Sequence, residues 1–394
     1  DERGVSPADI RTLEDVRKLP FTDKSVLRDT FPYGLFAVPL DEVVELHASS
    51  GTTGKPIVVG YNAHDMDLWA DCIMRLVQMA GVVPGDRAQM AFGYGMFTGG
   101  FGLHYGLQKL GCMMIPAGSG NTERHISMIE DYGTTVLVAT PSYALHMCEV
   151  GERMGFDWKA STLRVGLFGG EPCPPGLKAE IEDRMHIVCT DNYGLTEVMG
   201  PGVSGECLAS RDMQHIAEDH FLWEVVDPDT GEPVPDGEEG ELVLTPLGKQ
   251  AIPVLRYRTH DLTRVTCEPC ACGRTHARMR KVRSRSDDML IIRGTNVFPS
   301  QVEDVLAGIE GVAPHYRIVV DTARGLDRMT VHAELKPEAF SDSFQQMEAL
   351  RRLVEERLKG VLLVGARVKL VEPGGIERTT GKARHVEDRR KPSA

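Results

Sequence analysis

The stretch Ser49-Ser50-Gly51-Thr52-Thr53-Gly54-Lys55-Pro56 decides how this chain is read. Its glycines let the backbone approach a polyanion, consecutive amides can turn inward as donors, hydroxyls add further donors, and Lys55 adds charge. The segment reads as a loop that cradles a polyphosphate. It departs from the Walker A pattern, which requires Gly where this chain has Ser49 and Ser or Thr where it has Pro56. A flexible Ser/Gly linker shares the composition, so the flanking segments must decide.

Outward from that loop, residues 40 to 200 alternate helical and strand patterns. Met66 to Ala80 places Trp69, Ile73, Leu76 and Ala80 at three-to-four spacing before Gly81, which predicts a helix with a glycine stop. Pro84-Gly85-Asp86 turns into a strand at Ala88 to Phe92, and the apolar runs Thr135 to Ala139 and Val165 to Phe168 read as buried parallel strands. From about residue 221 the Pro-Asp-Thr-Gly and Pro-Asp-Gly-Glu-Glu-Gly punctuation predicts antiparallel hairpins, hence a small separate β region. The charged run Arg278 to Asp288 then separates a tail of α-β-β-α-β order. In that tail Ser300-Gln-Val-Glu303 reads as a capping box, strands are expected at 316 to 321, 329 to 336 and 366 to 372, and a helix at 344 to 359. The expected class is α/β: a large N-terminal domain over 1–286, built of α/β subdomains plus the β region, and a smaller mobile α+β domain over 287–394.

Composition agrees with an enzyme. The 394 residues are 42% hydrophobic and 26% charged, which excludes disordered and fibrous classes and gives room for two or three cores. With 44 basic and 57 acidic residues the net charge is −13, which argues against a nucleic-acid partner. Nine cysteines, mostly scattered, argue against a disulfide framework, and no run is long and apolar enough for a membrane span. The default location is the cytoplasm, and a homodimer is allowed. Residues 1 to 20 lack a leader pattern; because the chain opens at Asp1, what precedes it is left open.

Three further motifs follow the loop in order: Tyr193-Gly194-Leu195-Thr196-Glu197, Tyr257-Arg-Thr-His-Asp261-Leu262 and Thr379-Thr380-Gly381-Lys382. The ordered set resembles the adenylate-forming superfamily of acyl-CoA synthetases, adenylation domains and luciferases. Within it, HASSGTTGKP (47–56), FGYGMFTGGFGLHYG (92–106), YGLTEVMGPGV (193–203) and RSDDMLIIRGTNVFPSQVE (285–303) look like the aryl-CoA ligase branch, which activates phenylacetate and related acids. The chemistry such enzymes perform suits these residues. A carboxylate is a poor acyl donor until it is joined to AMP, and joining two anions needs positive potential rather than a protein nucleophile.

The resemblance implies roles residue by residue. Ser49, Ser50, Gly51, Thr52, Thr53, Gly54 and Lys55 would hold the β- and γ-phosphates of ATP, Thr196 would bond the α-phosphate, and Glu197 would ligate Mg2+; a surface carboxylate is the plain alternative for Glu197. Tyr193, with Asn192 beside it, would stack on adenine, and the Gly169-Gly170-Glu171 turn would line the base pocket, unless these residues only pack and turn. Asp261 would accept both ribose hydroxyls, or else pair with Arg256 or Arg258. Lys382 would bridge the substrate carboxylate and the α-phosphate during adenylation, Arg285 keeps its place in the hinge motif that Ser284 alters, and Asp287 would be the pivot that later admits coenzyme A.

Two segments remain. Gly93-Tyr-Gly95-Met-Phe97-Thr98-Gly99-Gly100-Phe101 puts aromatics on a glycine-rich turn that could form a slot for an aryl ring, with Tyr94 and Phe97 as pocket residues; core packing of Phe97 and Phe101 is the other reading. In Cys267-Glu-Pro-Cys270-Ala-Cys272-Gly-Arg-Thr-His276, clustered thiols read as a structural Zn2+ site. The chosen ligands are Cys207, His215, Cys270 and Cys272, with Cys267 and His276 competing and free thiols the alternative. The expected activity is ATP-dependent adenylation of phenylacetate or a related aryl acid, followed by transfer to coenzyme A. Rivals are transfer to a carrier-protein thiol or an amine, a zinc-dependent binding module, and an ATP-hydrolysing P-loop machine.

Overall fold

The computed structural model describes residues 4–49, 56–282, 284–286, 290–292, 295–323, 326–340, 343–377 and 385–390. Contacts divide the chain into Asp1–Gly170 with Ile181–Lys281, and Val282–Ala394 with Glu171–Glu180.

The first unit is organised by a nine-stranded sheet in the order Val265–Thr266, Arg278–Arg280, Ser210–Ile216, Gly200–Cys207, Val188–Leu195, Val165–Phe168, Val136–Ala139, Arg87–Met90, Met113–Ile115. The last five strands run parallel, and the others add antiparallel neighbours beyond Val188–Leu195. Val136–Ala139 and Val165–Phe168 are buried at every residue, which is why their sequences are unbroken apolar runs. Arg87–Met90, first of the five in sequence, lies between the second and third, so the direction of winding reverses there. In an open sheet of this kind ligands bind outside the carboxyl ends of the strands near that reversal.

The helix Ala63–Met79 begins three residues before the predicted Met66. Asn62 accepts a hydrogen bond from the Asp65 amide (2.9 Å), and Asp65 accepts one from the Asn62 amide (3.3 Å), so a capping box sets the start ahead of the apolar stripe. Its Trp69, Ile73 and Leu76 are buried, as is Ala80 beyond it. The helix Thr98–Leu110 packs against it through Gly102 and Gly106; a Cβ at either would stand 2.3 Å from the Trp69 ring or 2.1 Å from Ile73, so only glycine permits this approach. Beside this body, Phe221–Val226, Gly240–Pro246 and Tyr257–Thr263 form the expected antiparallel hairpins.

The second unit contains the expected α-β-β-α-β order. Its sheet runs Ala366–Val371, Leu326–Leu335, Val312–Ala323, Val386–Asp388. Val302 and Leu306 of the helix Pro299–Ala307, with Val354, Leu358 and Leu362 of the helix Phe344–Leu362, bury against Ile318, Val320, Val331 and Ala333. Two details correct the sequence reading. The first helix starts at Pro299, whose fixed φ suits the first turn, and Gln301 rather than Glu303 takes the Phe298 amide (3.0 Å), so the Ser300–Glu303 box does not set the start. The second helix continues past Gly360 because Leu362 still has core to enter; it stops at Leu363, in the left-handed region at φ 58°. No described helix is long and apolar enough to cross a membrane.

Candidate active site

The parallel strands deliver their carboxyl ends to one edge. Arg87–Met90 leads through Ala91 and Phe92 into Gly93 and Tyr94, Val165–Phe168 into Gly169 and Gly170, and Val188–Leu195 into Thr196 and Glu197. Three segments picked from sequence are thereby placed by topology; the phosphate-loop stretch connects the strands of the separate hairpin Val43–Ala48/Val58–Asn62. The base of that loop is closed by the Ser49 amide donating to the Ile57 carbonyl (2.9 Å) and the Ile57 amide donating to Ser49 Oγ (3.3 Å). Ser50–Lys55, Asp287 and Lys382 lie outside the described residues.

Thr196 and Glu197 open a four-residue turn between Val188–Leu195 and Gly200–Cys207, and both are buried. The turn rests on an aromatic floor: Tyr61 donates its hydroxyl to the Met199 carbonyl (2.6 Å), Trp69 Nε1 donates to the Pro201 carbonyl (2.8 Å), and the two rings stack at 4.9 Å. Thr196 Oγ1 shares a hydrogen bond with Thr98 Oγ1 (3.0 Å).

Tyr193 and Asp261 meet across the sheets, the tyrosine hydroxyl donating to Asp261 Oδ2 at 2.5 Å. The arginines that offered Asp261 another fate have partners of their own, Arg256 with Glu224 and Arg258 with Glu241. Asn192 is buried and donates to the Phe168 carbonyl (2.5 Å), fixing it against the Gly169-Gly170 turn, where Gly170 sits at φ 83°. Glu171 and Arg285 belong to the second unit.

At the Arg87–Met90 edge, Tyr94 is half-buried, with its ring 5.2 Å from Phe101 and 5.7 Å from His104. Burial pushes the Tyr94 hydroxyl up to about 12 and the His104 imidazole down, so a protonated hydroxyl donates to a neutral Nδ1 at 2.8 Å. Phe97 is exposed at 40% and so is not core.

Sequence reasoning passed over two groups here. Lys249 is 4% exposed, and its Nζ lies 4.2 Å from the centroid of Tyr61 with no hydrogen-bond partner among the described residues. Burial lowers it to about 7, against the pull of Asp65 and Glu197. His47, 1% exposed, has Nε2 at 2.6 Å from Glu45 and Nδ1 at 3.2 Å from the Met96 carbonyl. Lys249 lies in none of the quoted motifs, and His47, although it opens the stretch 47–56, is given no role there; a lysine after a glycine and a strand histidine are common.

Away from this edge, Cys207, His215, Cys270 and Cys272 converge, with ligand atoms all within 4.8 Å of one another. Cys207 and Cys270 sulfurs are 3.8 Å apart, and Cys272 Sγ is 3.4 Å from His215 Nε2. Cys267 is exposed and stands outside this group. Burial pushes Cys207 up to about 11; for Cys272, burial is outweighed by hydrogen bonds from Arg274 and the neighbouring thiols, which bring it to about 7. Burial, then the charges of Arg274 and Arg278, keep His215 low and therefore neutral.

Residues 18–247 match the AMP-binding enzyme family, and 294–390 the AMP-binding enzyme C-terminal domain. The phenylacetate-coenzyme A ligase of Aromatoleum evansii is 48% identical over 99% of this chain and 88% of its own length; that of Escherichia coli (strain K12) is 46% identical over 99% and 89%. The chain belongs to the phenylacetate-CoA ligase branch of the AMP-binding enzymes. Its place in that branch makes it an acid–thiol ligase that couples ATP-dependent adenylation to transfer onto coenzyme A. Among solved structures, a 2-hydroxyisobutyryl-CoA ligase in complex with R3-HIB-AMP superposes with a TM-score of 0.92 at 29% identity, covering 99% of this chain and 84% of that one. The ligase branch thus shares this architecture.

Proposed function

We propose that this chain activates phenylacetate, or an aryl acid of similar size, and that it does so in the reducing cytoplasm, which suits nine cysteines that form no disulfide. The observation that carries the substrate class is the aromatic surface of Tyr94 and Phe97 on the turn after Arg87–Met90 and of Phe101 on the helix Thr98–Leu110 that follows, at the edge where Thr196 and Glu197 stand. The named relatives are CoA ligases, so a carrier-protein thiol or an amine is not favoured as acceptor.

The residues divide the work. Tyr193 stacks on adenine, Asp261 takes the ribose hydroxyls, Ser49 to Lys55 hold the outer phosphates, and Thr196 bonds the α-phosphate. Lys382 draws the acid carboxylate and the α-phosphorus together, and the pivot at Asp287 turns the second domain, 287–394, for the thioester step. Glu197, a buried carboxylate, supplies an oxygen suited to Mg2+, which when bound offsets phosphate charge. Excluding water around these donors strengthens each of them.

The Cys207, His215, Cys270, Cys272 cluster fits a structural Zn2+. Zinc–sulfur bonds of about 2.3 Å and zinc–nitrogen bonds of about 2.0–2.1 Å place tetrahedral ligands about 3.5–3.8 Å apart, and the two distances above, 3.8 and 3.4 Å, lie close to that range. It would pin the 267–276 loop to the sheet, away from the reacting groups.

Lys382→Ala tests the central assignment. It is expected to lower acid-dependent ATP–pyrophosphate exchange by at least about 100-fold while leaving thioester formation from pre-made acyl adenylate near wild type. Equal loss in both half-reactions would overturn the role given to Lys382.

A further inference from the structure

The turn 93–98 touches more than the acid pocket. Its Met96 carbonyl accepts the Ala48 amide (2.9 Å) and faces His47 Nδ1 (3.2 Å), one and two residues before Ser49. Its Thr98 hydroxyl meets the Thr196 hydroxyl at 3.0 Å, both side chains buried. The same short turn is thus bonded at one end to the strand that enters the phosphate loop and at the other to the residue assigned to the α-phosphate.

His47 is built to hold that position. Its ring is wedged among Tyr61, Trp69 and Phe101, with centroids 5.5–5.8 Å away. Its Nε2 is held by Glu45, whose other carboxylate oxygen accepts the Tyr105 hydroxyl at 2.6 Å, from the helix that starts at Thr98. Glu45, Tyr105 and the aromatic wall fix the imidazole, and the imidazole fixes Met96. A displacement of Tyr94 or Phe97 on binding an acid therefore has two short hydrogen-bonded routes, one through the Met96 carbonyl to His47 and Ala48 and one through the buried Thr98 to Thr196.

We propose that the turn 93–98 is a hub through which occupancy of the acid pocket sets the placement of both Thr196 and the end of the strand Val43–Ala48 that leads into the phosphate-loop stretch, with His47 and Thr98 as its positioning residues. The inference rests on the proposed roles of Thr196 and the loop. Two bonds to one turn mean that Michaelis constants for acid and for ATP should move together when either link is cut, which a residue serving only stability would not produce.

The test uses the whole chain in phenylacetate-dependent ATP–pyrophosphate exchange. Thr98→Val, which keeps shape and removes the hydroxyl, is expected to lower kcat/KM for ATP roughly 3- to 10-fold, the scale of one buried neutral hydrogen bond. Thr98→Ser is expected to recover most of that. On a Thr196→Ala background Thr98→Val should add less than about a twofold effect, because its action passes through Thr196. His47→Asn, whose amide nitrogen can still face Met96, should outperform His47→Leu, with both Michaelis constants raised in the latter. Thr98→Val within twofold of wild type, or full multiplication of the two single effects, overturns the hub while an impaired Thr196→Ala leaves the functional reading standing. A Thr196→Ala at wild-type rate removes that reading and the hub with it. Should Thr98→Val not fold, the two His47 variants decide on the same criterion, and equal behaviour of the pair overturns the proposal.

Discussion

Replacing Lys249 by methionine is expected to stabilise the first unit, in a way that depends on pH. The amine is fully enclosed, and burial lowers it from 10.5 to about 7 despite the attraction of Asp65 and Glu197. A fall of that size disfavours the charged form in the folded state by about 5 kcal/mol. The sign follows from proton counting. Between about pH 7 and 10.5 the unfolded chain holds a proton that the folded chain lacks, so wild-type stability rises with pH across this window, by about 1.4 kcal/mol per unit. Methionine keeps the length and removes the proton. At pH 7.5 the folded amine is mostly neutral, so little cation–π attraction to Tyr61 is lost and the gain from that source is about 4 kcal/mol. All three tryptophans, Trp69, Trp158 and Trp223, lie in the first unit, so their fluorescence in urea titrations reports its unfolding alone. Between pH 7.5 and 9.5 wild type should gain about 2–3 kcal/mol relative to Lys249→Met. Parallel pH curves, or a variant less stable than wild type at pH 7.5, would refute the reasoning.

Other outcomes follow from the same geometry. Asp261→Ala should raise the Michaelis constant for ATP about 10-fold or more with a smaller change in kcat, since it removes an acceptor used in ground and transition states alike; initial-rate kinetics decide it, and an unchanged constant would remove the ribose assignment. Purified protein should carry one equivalent of zinc by elemental analysis, and Cys270→Ser with Cys272→Ser should remove it and lower the melting temperature while the rate at low temperature persists; metal content unchanged by both substitutions would exclude this ligand set.

The parts legible in the sequence are those whose physics is local. Val165–Phe168 had to be a buried strand because four apolar residues end at a glycine pair, and once the strands were placed, Gly169, Thr196 and Tyr94 had to emerge at one edge. Cys270 and Cys272 advertised themselves because two thiols one residue apart have few other uses. Cys207 and His215 could be paired with them because they sit on the hairpin strands Gly200–Cys207 and Ser210–Ile216. The helix start at Pro299 escapes for the opposite reason: Ser300 and Glu303 satisfy the capping pattern, yet the fixed φ of Pro299 starts the helix two residues sooner.

What stayed hidden acts through a second residue. His47, Glu45 and Tyr105 are 60 residues apart at most, an ordinary strand and an ordinary helix until the fold sets 2.6 Å between their polar atoms. Thr98 and Thr196 meet only because the helix Thr98–Leu110 starts beside the turn after Val188–Leu195. Residues that touch a nucleotide must be of types that bind phosphate, sugar or metal, so they leave a motif. A residue that holds one of those in place needs only to reach it, and many types can. Its identity is set by tertiary distance, and that is why the link between acid pocket and nucleotide emerges from coordinates while the pocket itself emerges from the letters.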